Sequence, residues 1–476
     1  MNDYGSLKQR FEAAGQEQVF AFWESLKAGE RRRLADEAAS IDLEEVNRLS
    51  KRLLHNSGSN APGLDGLEPA PHVPHPAHGG DAAVWKEAHA RGAKALRDGR
   101  VAAFTVAGGQ GTRLGYDAPK GTFPATPVRR ISLYQVFAEK ILAANRKYGV
   151  HIPWYIMTSH QNHEATQAFF DDNRFFGLAP ATVSFFRQGR MPAVDFQGKI
   201  MLESKCTIAL NPDGHGGALR ALVRSGSVDA MEEAGIDIMS YFQVDNPLVH
   251  CIDPAFIGFH IESSAEFSSK MVPKAYPGEK LGHFCRDKEG RLVVIEYSDM
   301  PEELAEATDA DGQLRFRAGN IAIHTLGRDF VRRVGSGRSQ SGLPFHRADK
   351  KIATVDSRGE PIRPESPNGI KFEMFVFDAL PLARDPVIVE TLRPEEFSPI
   401  KNAEGVDSPE TSRNDQLRQW TRWARAARVD IPCDDSGLPE FAWEVSPLFA
   451  DTEGEFLNKW HGLNPKPAIE SGVVLR

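Results

Sequence analysis

The stretch VAAFTVAGGQGTRLGYDAPKG, residues 101–121, joins an apolar strand to a glycine-rich loop. The small residues at 108–111 let backbone N–H groups approach an anion, and phosphate suits such a turn. Two cations, Arg113 and Lys120, follow on the same loop, and Pro119 stiffens the approach to the lysine. Together they suit the phosphates of a nucleotide and the charge that develops on a leaving pyrophosphate. A surface turn with solvated Arg and Lys is the alternative.

The glycine spacing matches neither of two common nucleotide-binding motifs. A dinucleotide fold wants G-x-G-x-x-G, but the position that should carry the third glycine is Leu114. The pattern G-x-x-x-x-G-K-[ST] is also absent from this loop. A dinucleotide-dependent oxidoreductase is therefore disfavoured.

Strand-like and helix-like patterns alternate on both sides of this loop. Apolar β-branched and aromatic runs predict strands, and longer runs with helical spacing predict helices between them. This rhythm predicts an α/β fold with a mixed, mainly parallel, Rossmann-like sheet. The predicted strands are 101–107, 153–159, 182–188, 236–245, 267–272, 291–298, 319–325, 372–378 and 386–392, and the helices are 81–98, 131–148 and 163–172.

The chain divides by pattern into three parts. Residues 1–98 form a helical arm with a linker, 99–402 a central catalytic domain, and 403–476 a small, more polar C-terminal element. Within the arm, apolar residues at helical spacing over 6–54, interrupted near Gly29, predict a helical hairpin or pair.

The linker at 55–80 is rich in Gly, Pro and His and predicts a loop on the protein surface. Its histidines, His72, His75 and His78, could suggest a metal site. A Pro-rich loop gives no fixed ligand geometry, so we expect them to be solvated.

Composition excludes several classes of protein. The 476 residues carry 57 Lys plus Arg against 65 Asp plus Glu, a net charge of −8, with no long run of like charges, so neither nucleic acid nor a membrane is an expected partner. No apolar stretch reaches the roughly 18 residues that span a bilayer, and the polar N-terminus predicts a cytoplasmic protein. The four cysteines lack C-x-x-C spacing and predict reduced thiols.

The run GGQGTRLGYDAPKG at 108–121 resembles the signature loop of the UDP-glucose pyrophosphorylase superfamily, particularly its UDP-N-acetylhexosamine pyrophosphorylases. The resemblance spans roughly residues 10–415 and implies a GT-A-like nucleotidyltransferase sheet. It also implies an enzyme that makes a UDP-sugar and pyrophosphate from UTP and a hexose 1-phosphate. Further blocks similar to the family, in family order, lie at 154–159, 185–186, 188–189, 198–200, 211–217, 244–246, 296–298, 319–322, 367–371, 375–378 and 397–402.

The resemblance implies contacts with the nucleotide and its phosphates. Asp245 ends a strand at the sheet edge where α/β folds place ligands, and a carboxylate there can bind Mg²⁺, although capping the following turn is the alternative. The implied catalytic cations are Arg113, Lys120 and Lys401. The implied nucleotide contacts are Gly108, Gly109, Gly111 and Thr112 in the loop, with Gln188 and Gly214 at the uracil.

The resemblance also implies a sugar pocket made of Gly282, Glu296, Asn320, Phe375, Phe377 and His215. The two phenylalanines, spaced by two on a predicted strand, would face the same side, although such a pair is usually core.

One position departs from the hexosamine branch, which commonly shows DGNGG where this chain has DGHGG. An imidazole offers hydroxyl groups a different geometry from an amide, so His215 leaves the sugar open. N-acetylglucosamine 1-phosphate is the first choice, with glucose or galactose 1-phosphate as the alternative. A catalytically silent UDP-sugar-binding protein is a third possibility. The oligomeric state is not readable from the sequence.

Overall fold

The computed structural model describes residues 4–55, 63–337 and 342–476. The α-helices are α1 Tyr4–Ala13, α2 Ala28–Ala39, α3 Leu43–His55, α4 Ala82–Arg97, α5 Leu133–Tyr148, α6 His163–Asp172, α7 Gly217–Arg224, α8 Ser227–Glu233, α9 Pro254–Glu262, α10 Glu302–Glu306, α11 Arg328–Gly335, α12 Arg393–Glu396, α13 Pro409–Ala426 and α14 Glu453–Gly462. The strands are β1 Glu68–Pro69, β2 Val101–Val106, β3 Trp154–Thr158, β4 Val183–Arg187, β5 Arg190–Pro192, β6 Leu202–Ser204, β7 Thr207–Ile208, β8 Leu210–Pro212, β9 Ile238–Gln243, β10 Phe267–Pro273, β11 Gly282–Arg286, β12 Leu292–Ile295, β13 Ala318–Gly327, β14 His346–Lys350, β15 Thr354–Val355, β16 Pro361–Ile362, β17 Gly369–Glu373, β18 Val387–Glu390, β19 Glu444–Val445 and β20 Val474–Leu475.

These elements form two compact units, each made of several separate stretches of the chain. The first unit contains the described residues of 1–61, 188–218 and 342–378, and the second those of 62–187, 219–341 and 379–476. The division into 1–98, 99–402 and 403–476 rests on composition and pattern along the chain, and it stays a prediction.

The second unit is built on a mixed sheet, as the alternating pattern predicts. Strand β2 lies between β3 and β9 in parallel pairing, and β4 continues the parallel part beyond β3. Beyond β9 the sheet turns antiparallel through β13, which pairs with β10 and β11. Because β2 and β9 are parallel neighbours, the segments that follow them leave the sheet at the same edge. The glycine-rich loop and Asp245 are those segments.

The first unit contains the N-terminal helices and four two-stranded sheets, β14–β17, β15–β16, β5–β8 and β6–β7. The prediction of a helical pair over 6–54 is wrong in number, because the chain forms three α-helices there. Gly15 follows α1 with φ 69°, which favours glycine, and α2 begins at Ala28, next to the predicted break.

The predicted strand at 372–378 is also corrected. Strand β17 ends at Glu373, and a 3₁₀-helix covers Val376–Leu382. Beyond the strand, the N–H of Met374 donates to Asp213 O at 2.8 Å and its carbonyl accepts from Gly216 N at 2.8 Å. Contacts with a distant turn therefore replace the strand ladder, which no local pattern indicates.

The linker is more ordered than predicted over its described residues, 63–80, whereas 56–62 lie outside them. The His78 imidazole donates to Glu390 Oε1 at 2.7 Å, and the His75 N–H donates to Glu390 Oε2 at 2.8 Å. The His75 ring meets Trp85 edge to face at 5.0 Å, and burial lowers the pKa of His75. The expectation of solvated histidines is therefore wrong for the half-buried His75, whereas His78 is exposed although it bonds Glu390.

The C-terminal residues pack around their own tryptophan-rich core, which includes Trp423, Trp443 and Trp460. All four cysteines lie in described residues and are free thiols, as predicted. Within the described parts of the chain, no helix is long and apolar enough to span a bilayer. A cytoplasmic location stays a prediction.

Candidate active site

The glycine-rich loop leaves the end of β2 and closes on itself. The N–H of Gly111 donates to Ala118 O at 2.9 Å, and the N–H of Lys120 donates to Gly109 O at 3.1 Å. These bonds tie the far end of the loop to its beginning. The lysine is therefore held against the glycines, as a phosphate cradle requires.

Asn162 supports the start of this loop through side-chain hydrogen bonds, a role for which there is no local sequence signal. Its side chain is fully buried, and the amide donates to Ala107 O at 3.0 Å and Gly109 O at 3.3 Å. Its own oxygen accepts from Ser159 N at 2.8 Å. The loop backbone therefore has a fixed shape, which favours a preorganised anion site.

Lys120 and Asp245 form an ion pair at the sheet edge. The ammonium lies 3.1 Å from Asp245 Oδ2, and the two side chains are 15% and 13% exposed. The alternative role for Asp245, capping the following turn, falls to its neighbour instead, because Asn246 Oδ1 accepts from Leu248 N at 3.3 Å. The structure thus brings together two predicted site residues that lie 125 positions apart.

The residue before Lys401 is bonded to Asp245 through the backbone. The N–H of Ile400 donates to Asp245 O at 2.8 Å, so the residue before Lys401 is bonded to the residue proposed to hold the metal. The lysine side chain is 38% exposed, and its ammonium lies 3.8 Å from Asp407 Oδ2. Arg113, on a 3₁₀-helix at Thr112–Leu114, is exposed.

Three of the predicted sugar-binding residues also lie together in the second unit. Gly282 on β11 pairs with Asn320 on β13. Glu296 directly follows β12, and its Oε1 lies 3.3 Å from the place that a Cβ on Gly282 would take. A side chain at Gly282 would crowd this carboxylate. The three residues therefore form one patch with a carboxylate and an amide that can bond hydroxyl groups.

The first unit carries the predicted uracil contacts. Gln188 Nε2 donates to Gly214 O at 2.7 Å, so these two residues, 26 positions apart, meet directly. Gly214 has φ 83°, and an added Cβ would lie 2.3 Å from Met374 O. The turn therefore needs glycine here both for its backbone conformation and for the close approach.

We expect Gly214→Ala to lower the free energy of unfolding by about 3 kcal/mol, because strain and a clash with a backbone carbonyl act together. Gly15→Ala in the same unit is the matched control. Gly15 also has positive φ, at 69°, but nothing lies within 4 Å of its added Cβ, so strain alone should cost about 1 kcal/mol. Urea unfolding of both variants measures the difference. Equal losses would contradict the clash.

His215 joins the aromatic pair of this unit. The rings of Phe375 and Phe377 stack at 5.2 Å with 27° between their planes, although the strand predicted to align them is absent there. The His215 ring lies 5.4 Å from Phe375, and its Nδ1 accepts from Val376 N at 3.2 Å. Burial, and less strongly His346, lower the pKa of His215 to about 4. The neutral ring then carries its proton on Nε2 and presents a donor.

A second histidine borders this cluster and was missed from the sequence. The His346 ring lies 4.7 Å from Phe375, and its Nε2 donates to Asp378 Oδ2 at 2.7 Å. A histidine at the start of a short, polar strand carries no sequence signal for this contact.

Residues 80–406 match the family of UTP–glucose-1-phosphate uridylyltransferases. The chain belongs to this family. A UDP-N-acetylglucosamine pyrophosphorylase of Saccharomyces cerevisiae is 36% identical over 98% of this chain and 99% of its own length. A UDP-N-acetylhexosamine pyrophosphorylase-like protein 1 of Xenopus tropicalis is 38% identical over 93% of this chain and 91% of its own length.

The fold of this chain is also similar to that of a solved uridylyltransferase structure. The uridine diphosphate N-acetylglucosamine pyrophosphorylase of Trypanosoma brucei, crystallised with an inhibitor, has a TM-score of 0.80 and 28% identity. The match covers 100% of this chain and 98% of that one. The predicted family and fold class are therefore confirmed. The roles of individual residues in this family member stay predictions.

Proposed function

We propose that the protein is a uridylyltransferase that makes UDP-N-acetylglucosamine and pyrophosphate, reversibly, from UTP and N-acetylglucosamine 1-phosphate. The observation that carries the proposal is the pairing of Lys120 with Asp245 where β2 and β9 end, with the residue before Lys401 bonded to Asp245. The names of the relatives from Saccharomyces cerevisiae and Trypanosoma brucei favour N-acetylglucosamine among the sugars.

The chemistry needs positioned charge rather than a general base. A phosphate oxygen of the sugar 1-phosphate attacks the α-phosphorus of UTP, forming the new P–O bond as the bond to pyrophosphate breaks. The nucleophile is already an anion, so no proton has to be removed. Arg113, Lys120 and Lys401 would share the negative charge that grows on the leaving pyrophosphate.

Magnesium fits the residues at the sheet edge. Mg²⁺ binds one or two carboxylates and completes its shell with phosphates and water. Asp245 gives Lys120 one carboxylate oxygen and has a second oxygen to offer a cation. We propose that Asp245 holds Mg²⁺ brought in with the nucleotide, where the ion would neutralise phosphate charge.

The uracil and sugar contacts that the family resemblance implies are proposed residue by residue. Gln188 and Gly214 would contact the base, with Gly108, Gly109, Gly111 and Thr112 along the rest of the nucleotide. Gly282, Glu296 and Asn320 would contact sugar hydroxyls, with Phe375, Phe377 and His215 as further sugar contacts.

A pyrophosphate-release assay tests the function directly. The purified protein is given UTP and Mg²⁺ with N-acetylglucosamine 1-phosphate, glucose 1-phosphate or galactose 1-phosphate in parallel, and then with other nucleoside triphosphates. We expect the highest kcat/KM with UTP and N-acetylglucosamine 1-phosphate. A higher value with another sugar would reassign the substrate. UTP binding without turnover on any sugar would indicate a silent UDP-sugar-binding protein.

His215→Ala should raise the KM for the sugar 1-phosphate by about five- to tenfold, the value of one neutral hydrogen bond, and leave the KM for UTP within about twofold. Because the pKa of His215 is about 4, its contribution should be constant between about pH 6 and pH 8. Steady-state kinetics at both pH values measure this, with the exposed His151→Ala as control. An unchanged KM for the sugar 1-phosphate would contradict a sugar-binding role for His215.

A further inference from the structure

Lys270 is a buried cation that the proposed mechanism does not use. It lies within β10 with 2% of its side chain exposed. Its ammonium donates to Asp253 Oδ2 at 2.6 Å and also bonds Glu396 Oε1. Removing an ammonium from water costs several kcal/mol, and close pairing with carboxylates is what offsets this cost. Such a residue needs a structural or functional reason.

The two carboxylates belong to the two segments that carry Asp245 and Lys401, two of the residues proposed at the phosphates. Residues 245–253, here the Asp245 segment, begin with Asp245 and end with Asp253. Residues 396–401, here the Lys401 segment, begin with Glu396 and end with Lys401. Lys270 therefore bonds the last residue of one segment and the first residue of the other.

Hydrogen bonds join the same two segments along their length. Asn246 Nδ2 donates to Glu396 O at 2.7 Å, and Ser398 N donates to Asn246 Oδ1 at 3.1 Å. The bond from Ile400 N to Asp245 O, at 2.8 Å, continues this series toward Lys401. All of these groups, Lys270 included, lie in the second unit.

The cluster also resembles a cation site, but Lys270 already fills that role. Ligand atoms of His250, Asp253 and Glu396 lie within 4.8 Å of one another. A metal ion held by both carboxylates would need the position that the ammonium takes, since the ammonium bonds both. The lysine is thus the cation that balances this cluster.

We propose that Lys270 is a positioning residue that holds the Asp245 and Lys401 segments together, so that Asp245 and Lys401 meet the same phosphates. The inference rests on the proposed function for its catalytic consequence. The ammonium acts through the carboxylates of Asp253 and Glu396 and does not contact the substrate. Loss of the Lys270 ion pairs should increase the local unfolding of both segments together.

The first test is hydrogen exchange, which needs no substrate. Lys270→Met leaves the buried Glu396 and the part-buried Asp253 without this cation and could unfold the protein. The double variant Lys270→Met with Glu396→Gln removes one charge of each sign and serves as the second variant. We expect amides of 245–253 and 396–401 to exchange about tenfold faster in either folded variant. Lys147→Met is the control, because it removes an ion pair of 2.8 Å to Glu455 outside both segments.

The second test is a double-mutant cycle in the uridylyl-transfer assay. Lys270→Met should lower kcat about tenfold in the wild-type background, and much less in a Lys401→Ala background, because the two residues then act through one group. A residue that only stabilises the fold would give additive effects. Additive effects, or unchanged exchange in both segments, would overturn the proposal. Faster exchange throughout, including the core around Trp423, would overturn it as well.

The two tests separate the inference from the proposed function. A wild-type protein that shows no turnover with any sugar 1-phosphate contradicts the proposed function. The exchange rates of the two segments then still decide whether Lys270 couples them. Active wild-type protein with uncoupled segments contradicts the inference alone.

Discussion

Lys120→Met should lower kcat for uridylyl transfer by about two to three orders of magnitude, which is the usual cost of one preorganised group that stabilises transition-state charge. The Lys120 side chain is 15% exposed and lies on a loop whose shape Asn162 fixes, so its charge is placed before the substrate arrives. Methionine keeps the apolar stem and removes the charge. The loss should therefore appear mainly in kcat rather than in the KM for the sugar 1-phosphate.

The control is Lys94→Met, which removes an exposed lysine paired with Asp98 one helical turn away. Its kcat should stay within about twofold of wild type, since exposed helix pairs contribute little. The unfolding midpoint shows whether the Lys120→Met enzyme is folded. A folded variant whose kcat stays within about threefold of wild type would contradict the catalytic role of Lys120.

The phosphate-binding edge could be predicted because its signals are local. A run of apolar residues that ends in small residues marks a strand followed by a phosphate turn, and the end of β2 is where the pattern placed it. Asp245 follows the same logic at the end of β9, and parallel pairing of β2 with β9 brings the two strand ends together. The pattern thus predicted that the glycine-rich loop and Asp245 each follow a strand, and the contact between them comes from the observed pairing of β2 with β9.

The supporting contacts could not be predicted, because they join residues without a pattern of their own. Asn162 is a polar residue at the start of a helix, and Asn246 is a turn residue. Lys270 is a lysine inside an apolar strand. Each is defined by a partner far away in sequence, such as Glu396 for Asn246. Hydrophobic periodicity locates elements, whereas buried hydrogen bonds depend on how the elements meet.

The pair Phe375 and Phe377 was correctly predicted to lie together, but from a backbone conformation that the structure does not have. Strand alternation predicted that Phe375 and Phe377 face one side, but neither lies in a strand. Their rings still stack, because the contact of Met374 with the turn at Gly214–Gly216 ends β17 and starts a 3₁₀-helix. A spacing of two therefore identified the pair without identifying its backbone.

Lys401→Ala should lower kcat by about two orders of magnitude while the free energy of unfolding changes by less than about 1 kcal/mol. The small stability cost follows from its setting, since the side chain is 38% exposed and its ammonium is 3.8 Å from Asp407 Oδ2. The backbone beside it is fixed by the bond from Ile400 N to the carbonyl oxygen of Asp245, the residue proposed to hold Mg²⁺. In the reverse direction, the KM for pyrophosphate should rise.

Arg113→Ala is compared with Lys401→Ala to show whether the effect of Lys401 differs from that of losing any positive charge near the site. Arg113 is exposed on the glycine-rich loop, so its removal should also lower kcat without a measurable change in unfolding, which urea titration checks. If Lys401 acts on the leaving pyrophosphate, its loss should weaken pyrophosphate in the reverse reaction and leave the KM for UDP-N-acetylglucosamine within about twofold. Full kcat in Lys401→Ala would place the leaving-group charge on Lys120, Arg113 and the metal ion alone.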